Sequence, residues 1–414
     1  MVGRGTVFVI LGFSMIFALA SRYWQRTSNE SVDNFVQYYR QTTAHNIAAS
    51  AANIAADSIF RKPTSPAISM SGSFSSGTYT VKTSSYTRFG LTDTLLTAIG
   101  IYEDVRDTVL VLFSKYSFSK YAFFSVNESN VNWVTGDTMW GPYHTESKMN
   151  IIGSPVFYGK VTTKLGTNPK LPDKSAKPYF YGGYESGVSI KLPTDLTELK
   201  AASQYGKKFT NPGSGSYDVY ITFNDNGTVT YKDNTMSNDT TVALNALAPN
   251  GVIYVDKGNA HVSGVVNGKA TVVADGSSGS GYGNVYIEGN IQYKDDPQKG
   301  PSDDVVGLVA NNNVVIAEKS PPNEDVYIEA AILARSGSFT YQGYNDAAVG
   351  ALGKIHLYGS ITNYQRGAVG TVDTYTKALK SGYKKNYKYD DRFSTGAPPY
   401  FPTGGSFQIV GWRE

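Results

Sequence analysis

The pattern of apolar and polar positions divides the chain into a helical beginning and a strand-rich remainder. A short basic leader, Met1-Val2-Gly3-Arg4-Gly5, meets an apolar run from Val7 to Ala20. Beyond it, apolar or small residues recur at Val32, Phe35, Val36, Tyr39, Thr43, Ile47, Ala51, Ile54, Ala55 and Ile59, with Arg26, Glu30, Asp33, Arg40 and Asp57 mostly off that stripe. This is helical spacing. No breaker interrupts it until Lys62-Pro63, with Pro66 close behind. The pattern predicts one helix over residues 6–62, a rod over ~80 Å long at about 1.5 Å per residue. Residues 6–22 form a membrane-spanning or assembly half, and residues 23–62 an amphipathic half.

The remainder reads as β structure, irregular over residues 70–245. Ser71 to Lys82 alternates as one strand, and Thr108 to Phe113 as another. Tyr217 to Phe223, the turn Asn224-Asp-Asn-Gly227 and Thr228 to Lys232 read as a hairpin. Leu165 to Pro178, rich in Pro and Lys, reads as an exposed loop. From Gly251 the pattern changes. Gly258-Asn-Ala-His-Val-Ser-Gly-Val-Val266, Gly283-Asn-Val-Tyr-Ile-Glu-Gly-Asn-Ile291 and Gly353-Lys-Ile-His-Leu-Tyr-Gly-Ser-Ile361 share one form. Such a repeat, with inward aliphatics and Gly or Asn at sharp corners, predicts coils of a right-handed parallel β-helix over residues 246–372, closed by a cap over 373–414. In that register Val262, Ile287 and Leu357 occupy equivalent turns and point into one core, while Glu288 points outward. A sandwich with similar strands is the alternative.

Composition narrows the class. The chain has 414 residues, enough for two or three domains; 17% are charged, with 42 glycines and 31 tyrosines. This suits an all-β body with tight turns. A net charge of +3 without a block of like charge leaves nucleic-acid binding no electrostatic footprint. The absence of cysteine excludes disulfides, thiolate metal sites and thiol catalysis.

The apolar run is shorter than the ~20 residues of a standard span. Tyr23 and Trp24 sit where interfacial aromatics belong, and Arg4 and Arg22 are placed to snorkel at the two ends. Two rival readings exist for this segment. Ala18-Leu19-Ala20 fits a signal-peptidase site, and an unprocessed membrane anchor fits as well. A cleaved signal does not require the in-phase helical continuation.

On these residues the stretch from Arg4 to about Arg61 resembles type IV pilin-like proteins. Their processing site follows a glycine preceded by a basic residue, as in Arg4-Gly5, which implies cleavage before Thr6. The resemblance implies assembly with other pilin-like subunits through Val7, Phe8, Ile10, Leu11, Phe13, Ile16 and Phe17, from a precursor held in the inner membrane. Two departures stand out: Thr6 replaces the common Phe, and Ile10 stands where most major pilins carry Glu, a pattern commoner in minor subunits. The stretch from Gly251 to Glu414 is similar to the C-terminal region of a group of bacterial envelope proteins, through Gly251-Val-Ile-Tyr-Val, Ile328-Glu-Ala-Ala-Ile-Leu-Ala, Arg366-Gly-Ala-Val-Gly, Tyr389-Asp-Asp-Arg, Pro398-Pro-Tyr-Phe-Pro and Trp412-Arg-Glu. Trp140-Gly-Pro-Tyr-His-Thr and Gly153-Ser-Pro-Val-Phe-Tyr-Gly fit the same group, whose members place a pilin-like helix before a β body.

Candidate chemistry is sparse. His45, His144, His261 and His356 form no metal spacing. His261 and His356 take the repeat position of Tyr286, which predicts a stacked ladder. Asp295, Asp296, Asp303 and Asp304 flank one loop; solvated charge is the plain reading and calcium through oxygen ligands the alternative. Asp390-Asp391-Arg392 predicts a local Asp–Arg bridge. No catalytic, cofactor or metal residue is assigned, and no motif sits in an enzymatic context, although β-helices do host polysaccharide lyases and hydrolases. Half-buried wall positions are the plain reading of many tyrosines in a β-rich chain; Tyr179, Tyr181, Tyr184, Tyr341 and Tyr344 are the candidates for contact with surface glycans or proteins, since rigid amphipathic rings suit both. The expectation is therefore a structural, surface-located, pilin-like subunit with an adhesive role. A non-assembling membrane-anchored adhesin and a carbohydrate-active enzyme are the alternatives.

Overall fold

The computed structural model describes residues 3–62, 66–88, 91–276, 281–317, 324–373 and 378–414. Met1 and Val2 of the leader and Pro63, the expected helix breaker, lie outside the described residues, as does the Arg4 side chain. The protein is mainly β with one long N-terminal helix, and its sheets are mixed. The chain separates into two compact units. The first comprises Met1–Arg88, Thr92–Ser114 and Ser406–Glu414, and the second Phe89–Leu91 and Lys115–Gly405.

In the first unit, helix α1 spans Arg4–Arg61 without a break. Four strands follow: β1 (Ser69–Phe74), β2 (Gly77–Arg88), β3 (Leu91–Tyr102) and β4 (Val105–Ser117). The C-terminal strand Thr403–Arg413 completes a sheet of order β1-β2-β3-β4-C-terminal strand. The run expected as a single strand, Ser71 to Lys82, is instead a tight hairpin, with Ser69 opposite Lys82 and Phe74 opposite Gly77. Ser75 (φ 52°) and Ser76 (φ 59°) form its turn. Positive φ at both central residues matches the right-handed twist of the flanking strands. Two serines are a poor advertisement for such a turn, so alternation alone ran through it.

The predicted stripe on α1 is buried only in its second half, and even there Ile54, expected on the stripe, is 50% exposed. Ala44 and Ile47 are buried, and Ala48, Ala51, Ala52, Ala55, Ala56 and Ile59 are buried and pack with Val81, Leu96, Ala98, Val109, Val111, Phe113 and Phe407. Upstream, Val32, Phe35, Val36 and Tyr39 are exposed. Small side chains bring helix and sheet backbones together: a Cβ on Gly100 of β3 would collide with the Ala44 carbonyl and the Ala48 amide. The seam begins near Tyr39, edge-on to Tyr102 at 6.0 Å, and Arg40, which pairs with Glu103 at 2.6 Å.

The second unit is built from strands that return in parallel beside earlier ones. In one column Val219, Ala260, Val285, Val314 and Phe339 are successive cross-strand neighbours, as are Ile221, Val262, Ile287, Ile316 and Tyr341. All ten are buried. Side-chain amides tie the corner of this column. Asn259 Oδ1 accepts from Asn284 N–H, Asn284 Oδ1 from Asn313 N–H, and Asn313 Oδ1 from Ser338 N–H, at sequence steps of 25, 29 and 25. A second column runs Ile253, Val272, Leu308, Ile332, Ile361 and then crosses to Phe123, Tyr143 and Val161. The early segment 123–186 thus pairs onto the strand Ala351–Gln365 from late in the chain. Antiparallel pairs also occur, between Asp218–Phe223 and Thr228–Asp233 and between Gly370–Val372 and Leu379–Tyr389.

The first two nonapeptides stack as expected: Ala260 opposite Val285, His261 opposite Tyr286 and Val262 opposite Ile287. The third does not join their column. Leu357 pairs with Ile328, which pairs with Ile291, so this copy stands in a different row of neighbours from Val262 and Ile287. Leu357 is buried, but the expectation that it occupies the same turn position as Val262 and Ile287 is corrected. Uneven steps along the chain move one sequence motif into a different row.

Candidate functional surfaces

The apolar N-terminal segment lies on a helix long and apolar enough to cross a membrane. Val7, Phe8, Ile10, Leu11, Phe13, Ile16 and Phe17 are all exposed, Phe8 at 74% and Phe17 at 76%. Gly5 and Thr6 lie inside the first turn of α1, with Thr6 N–H donating to Gly3 O at 2.9 Å. The exposed stretch continues past Tyr23 and Trp24 to Tyr38, where contact with the sheet takes over. One continuous helix therefore carries an unpartnered apolar end and an alanine-rich end packed on its own sheet.

The histidines are held as structural groups. His261 lies between the Tyr220 and Tyr286 rings, at 4.4 and 4.8 Å, with Nδ1 on Glu288 Oε1 at 2.6 Å. His356 stacks on Tyr327 at 4.7 Å and bonds Asp325 at 2.7 Å. The predicted ladder thus exists as two separate stacks. His144 is fully buried between Thr162 Oγ1 (2.7 Å) and Glu146 Oε1 (3.1 Å). Burial pushes its pKa below the ordinary value, against the opposing pull of Glu146. Burial alone would raise the Glu146 pKa, but hydrogen bonds from Lys164, Ile190 N–H, His144 and Ser189 bring it below the ordinary carboxylate value.

The four loop aspartates do not converge. Asp304 is buried and accepts from the backbone N–H of Gly268 (2.6 Å) and Asp295 (2.9 Å). Asp303 faces Lys269 at 3.6 Å, and Asp296 faces Lys299 at 3.0 Å. Among the described residues no group of three or more acids or histidines is placed to hold a metal. Arg392 makes the expected bridge to Asp390 (2.7 Å) and also donates to the carbonyls of Ser302 and Asp304, so it staples that loop.

The tyrosines divide. Tyr179 and Tyr181 are exposed and Tyr184 is at the border of exposure. Tyr344 is half-buried. Tyr341 is 2% exposed and packs edge-on to Tyr383 at 5.1 Å. Its expected surface contact is corrected, because it occupies an inward position of the first column. Two further exposed aromatics, Trp140 and Tyr158, were not among the expected contact rings. Trp140 stacks on Tyr158 (4.4 Å, 12°), which stacks on Tyr181 (5.3 Å, 14°). The signal was present as a second repeat: Met139-Trp-Gly-Pro-Tyr-His-Thr145, Phe157-Tyr-Gly-Lys-Val-Thr-Thr163 and Phe180-Tyr-Gly-Gly-Tyr-Glu-Ser186. These segments pair in parallel, and the first two are 18 residues apart, the step of the His144–Thr162 contact. A glycine follows each ladder ring because the turns touch there: a Cβ on Gly159 would strike the Gly141 carbonyl, and one on Gly182 the Gly159 carbonyl.

No protein-family model matches this chain, and no curated protein matches it. Among solved structures it is similar to the competence-associated pilin ComZ from Thermus thermophilus, at 12% identity and a TM-score of 0.36, over 90% of this chain and 97% of that one. A likeness of that size carries no argument about fold or function.

Proposed function

We propose that this chain is a structural subunit of a type IV pilin-like filament or a related envelope-anchored surface appendage. In this reading residues 6–22 hold the precursor in the inner membrane. Processing between Gly5 and Thr6 frees the helix to join other pilin-like subunits through Val7, Phe8, Ile10, Leu11, Phe13, Ile16 and Phe17. The absence of Glu at Ile10 favours a minor subunit. The parallel columns of the second unit are read as a right-handed parallel β-helix, displayed at the cell surface with an adhesive role toward glycans or proteins.

The observation that carries this reading is the division of labour along α1. Its alanine-rich half is committed to its own sheet, while its apolar first third presents exposed side chains that pack on none of the described residues. An apolar helical surface of that extent is stable in a membrane or against other helices, not in water. The test is mass spectrometry of the N-terminus of the protein recovered from purified surface appendages. Recovery with a mature terminus at Thr6 is expected. A terminus at Ser21 would mean that Ala18-Leu19-Ala20 is a signal-peptidase site, and the pilin-like reading would fall.

A further inference from the structure

The second unit contains a cavity of about 270 Å³ beside the first ring of the aromatic ladder. Strand Thr138–Met139 carries Trp140 to its mouth, strand Ala351–Gln365 brings Asn363 with Arg366 just beyond its end, and strand Leu379–Tyr389 brings Asn386 and Tyr387. Tyr158 covers one face of Trp140, yet Trp140 stays 57% exposed, so its indole is free for a ligand.

The wall carries the Lys385 ammonium, within electrostatic reach of Arg366, Asp137 and Glu128, and further polar groups that are held by partners yet keep capacity unspent. The Arg366 side chain is 5% exposed, held by Glu128 Oε2 at 2.8 Å and by the Trp133 ring at 4.2 Å. It donates only from Nη1, so among the described residues Nε and Nη2 have no hydrogen-bond acceptor. Asn363 is buried and accepts from Phe339 N–H at 2.8 Å, which leaves its Nδ2 to donate. Asp137 uses Oδ2 on Val134 N–H, and Asn386 uses Nδ2 on His356, so each keeps Oδ1 as an acceptor.

We infer that this cavity binds one neutral pyranose ring of a glycan, stacked against Trp140. The two cations of the site, Arg366 and Lys385, stand against two carboxylates, Glu128 and Asp137, so the wall offers no net charge to draw an anion, and an apolar ligand would leave buried donors unpaired. Sugar hydroxyls donate and accept at once, which matches a wall offering fixed donors and acceptors around an aromatic plate. The volume suits a single ring rather than an extended chain. This inference deepens the adhesive part of the proposed function and does not depend on filament assembly.

The test uses the full chain in a sugar-free zwitterionic detergent, so that assembly plays no part. Methyl pyranosides of glucose, galactose, mannose and N-acetylglucosamine are titrated by saturation-transfer NMR and tryptophan fluorescence, beside methyl glucuronide and inorganic phosphate. At least one neutral pyranoside should bind saturably. Trp140→Ala should weaken it by at least about tenfold, a loss of about 1.4 kcal/mol. Asn386→Ala should weaken it too, and Tyr205→Ala, at an exposed ring outside the cavity wall, should not. Binding of the two anions alone, no binding of any neutral pyranoside, or unchanged affinity in Trp140→Ala with an unchanged thermal midpoint would each overturn the assignment. A filament defect with intact sugar binding would strike only the assembly reading, and the converse only this one.

Discussion

Single residues in this protein are constrained by the turn above and the turn below. Ile287 lies between Val262 and Ile316 in a buried column, so Ile287→Ala removes apolar contact and opens a cavity between turns. The expected cost is about 2–5 kcal/mol, read as a lower denaturant midpoint. Its neighbour Glu288 is partly exposed and bonds His261 at 2.6 Å, so Glu288→Ala should cost no more than about 1 kcal/mol. Equal losses at both positions would refute the register. His144 gives a pH signature. Its pKa is lowered in the folded protein, so the unfolded chain takes up the proton first as pH falls below about 6.5. Stability present above that pH is lost below it. Between pH 7.5 and 5.5 the denaturant midpoint of the wild type should fall more steeply than that of His144→Gln; parallel profiles would show that His144 does not titrate with unfolding. The other three histidines cancel in that comparison.

At the scale of elements, close approach decides what fits. Helix α1 sits on its sheet through alanines because Gly100 lets the Ala44–Ala48 backbone descend onto β3. Gly100→Ala should therefore push helix and sheet apart and cost roughly 1–3 kcal/mol, the range for overpacking a close contact. Thermal unfolding would register it. Ala49→Ser, on the half-buried flank of the same helix, should change little. The segments at Gly141, Gly159 and Gly182, spaced by 18 and 23 residues, follow the same rule, since backbone meets backbone there. Segments of this kind cannot be recognised from alternation, since the strands that carry these glycine motifs are only two or three residues long. Their legible signal was the recurrence of a large apolar residue, an aromatic ring and a glycine, as Met139-Trp-Gly, Phe157-Tyr-Gly and Phe180-Tyr-Gly.

At the scale of the whole molecule, the exposed helix end is separable from the fold. Buried side chains in α1 begin at Ala44, so removing residues 1–22 removes none of them. The truncated chain should be soluble without detergent, with circular dichroism of a folded β protein and an unchanged thermal midpoint. Aggregation with loss of β structure would show that the apolar segment supports the body. The sequence by itself determined what rests on local periodicity. It determined the helix from its 3.6-residue stripe, the hairpin at Asn224–Gly227 from its turn residues, the Asp390–Arg392 bridge from adjacency, and the parallel partnership of the first two nonapeptides from their shared form. Only the tertiary structure decided how distant segments meet. It set the early turns 123–186 on the late strand Ala351–Gln365, moved the third nonapeptide into a different row of neighbours, returned the last strand to β4, and gathered Trp140, Asn363, Arg366 and Asn386 around one cavity. Parallel pairing joins residues far apart in the chain, and its register depends on the length of every intervening turn. No window of local pattern contains that sum.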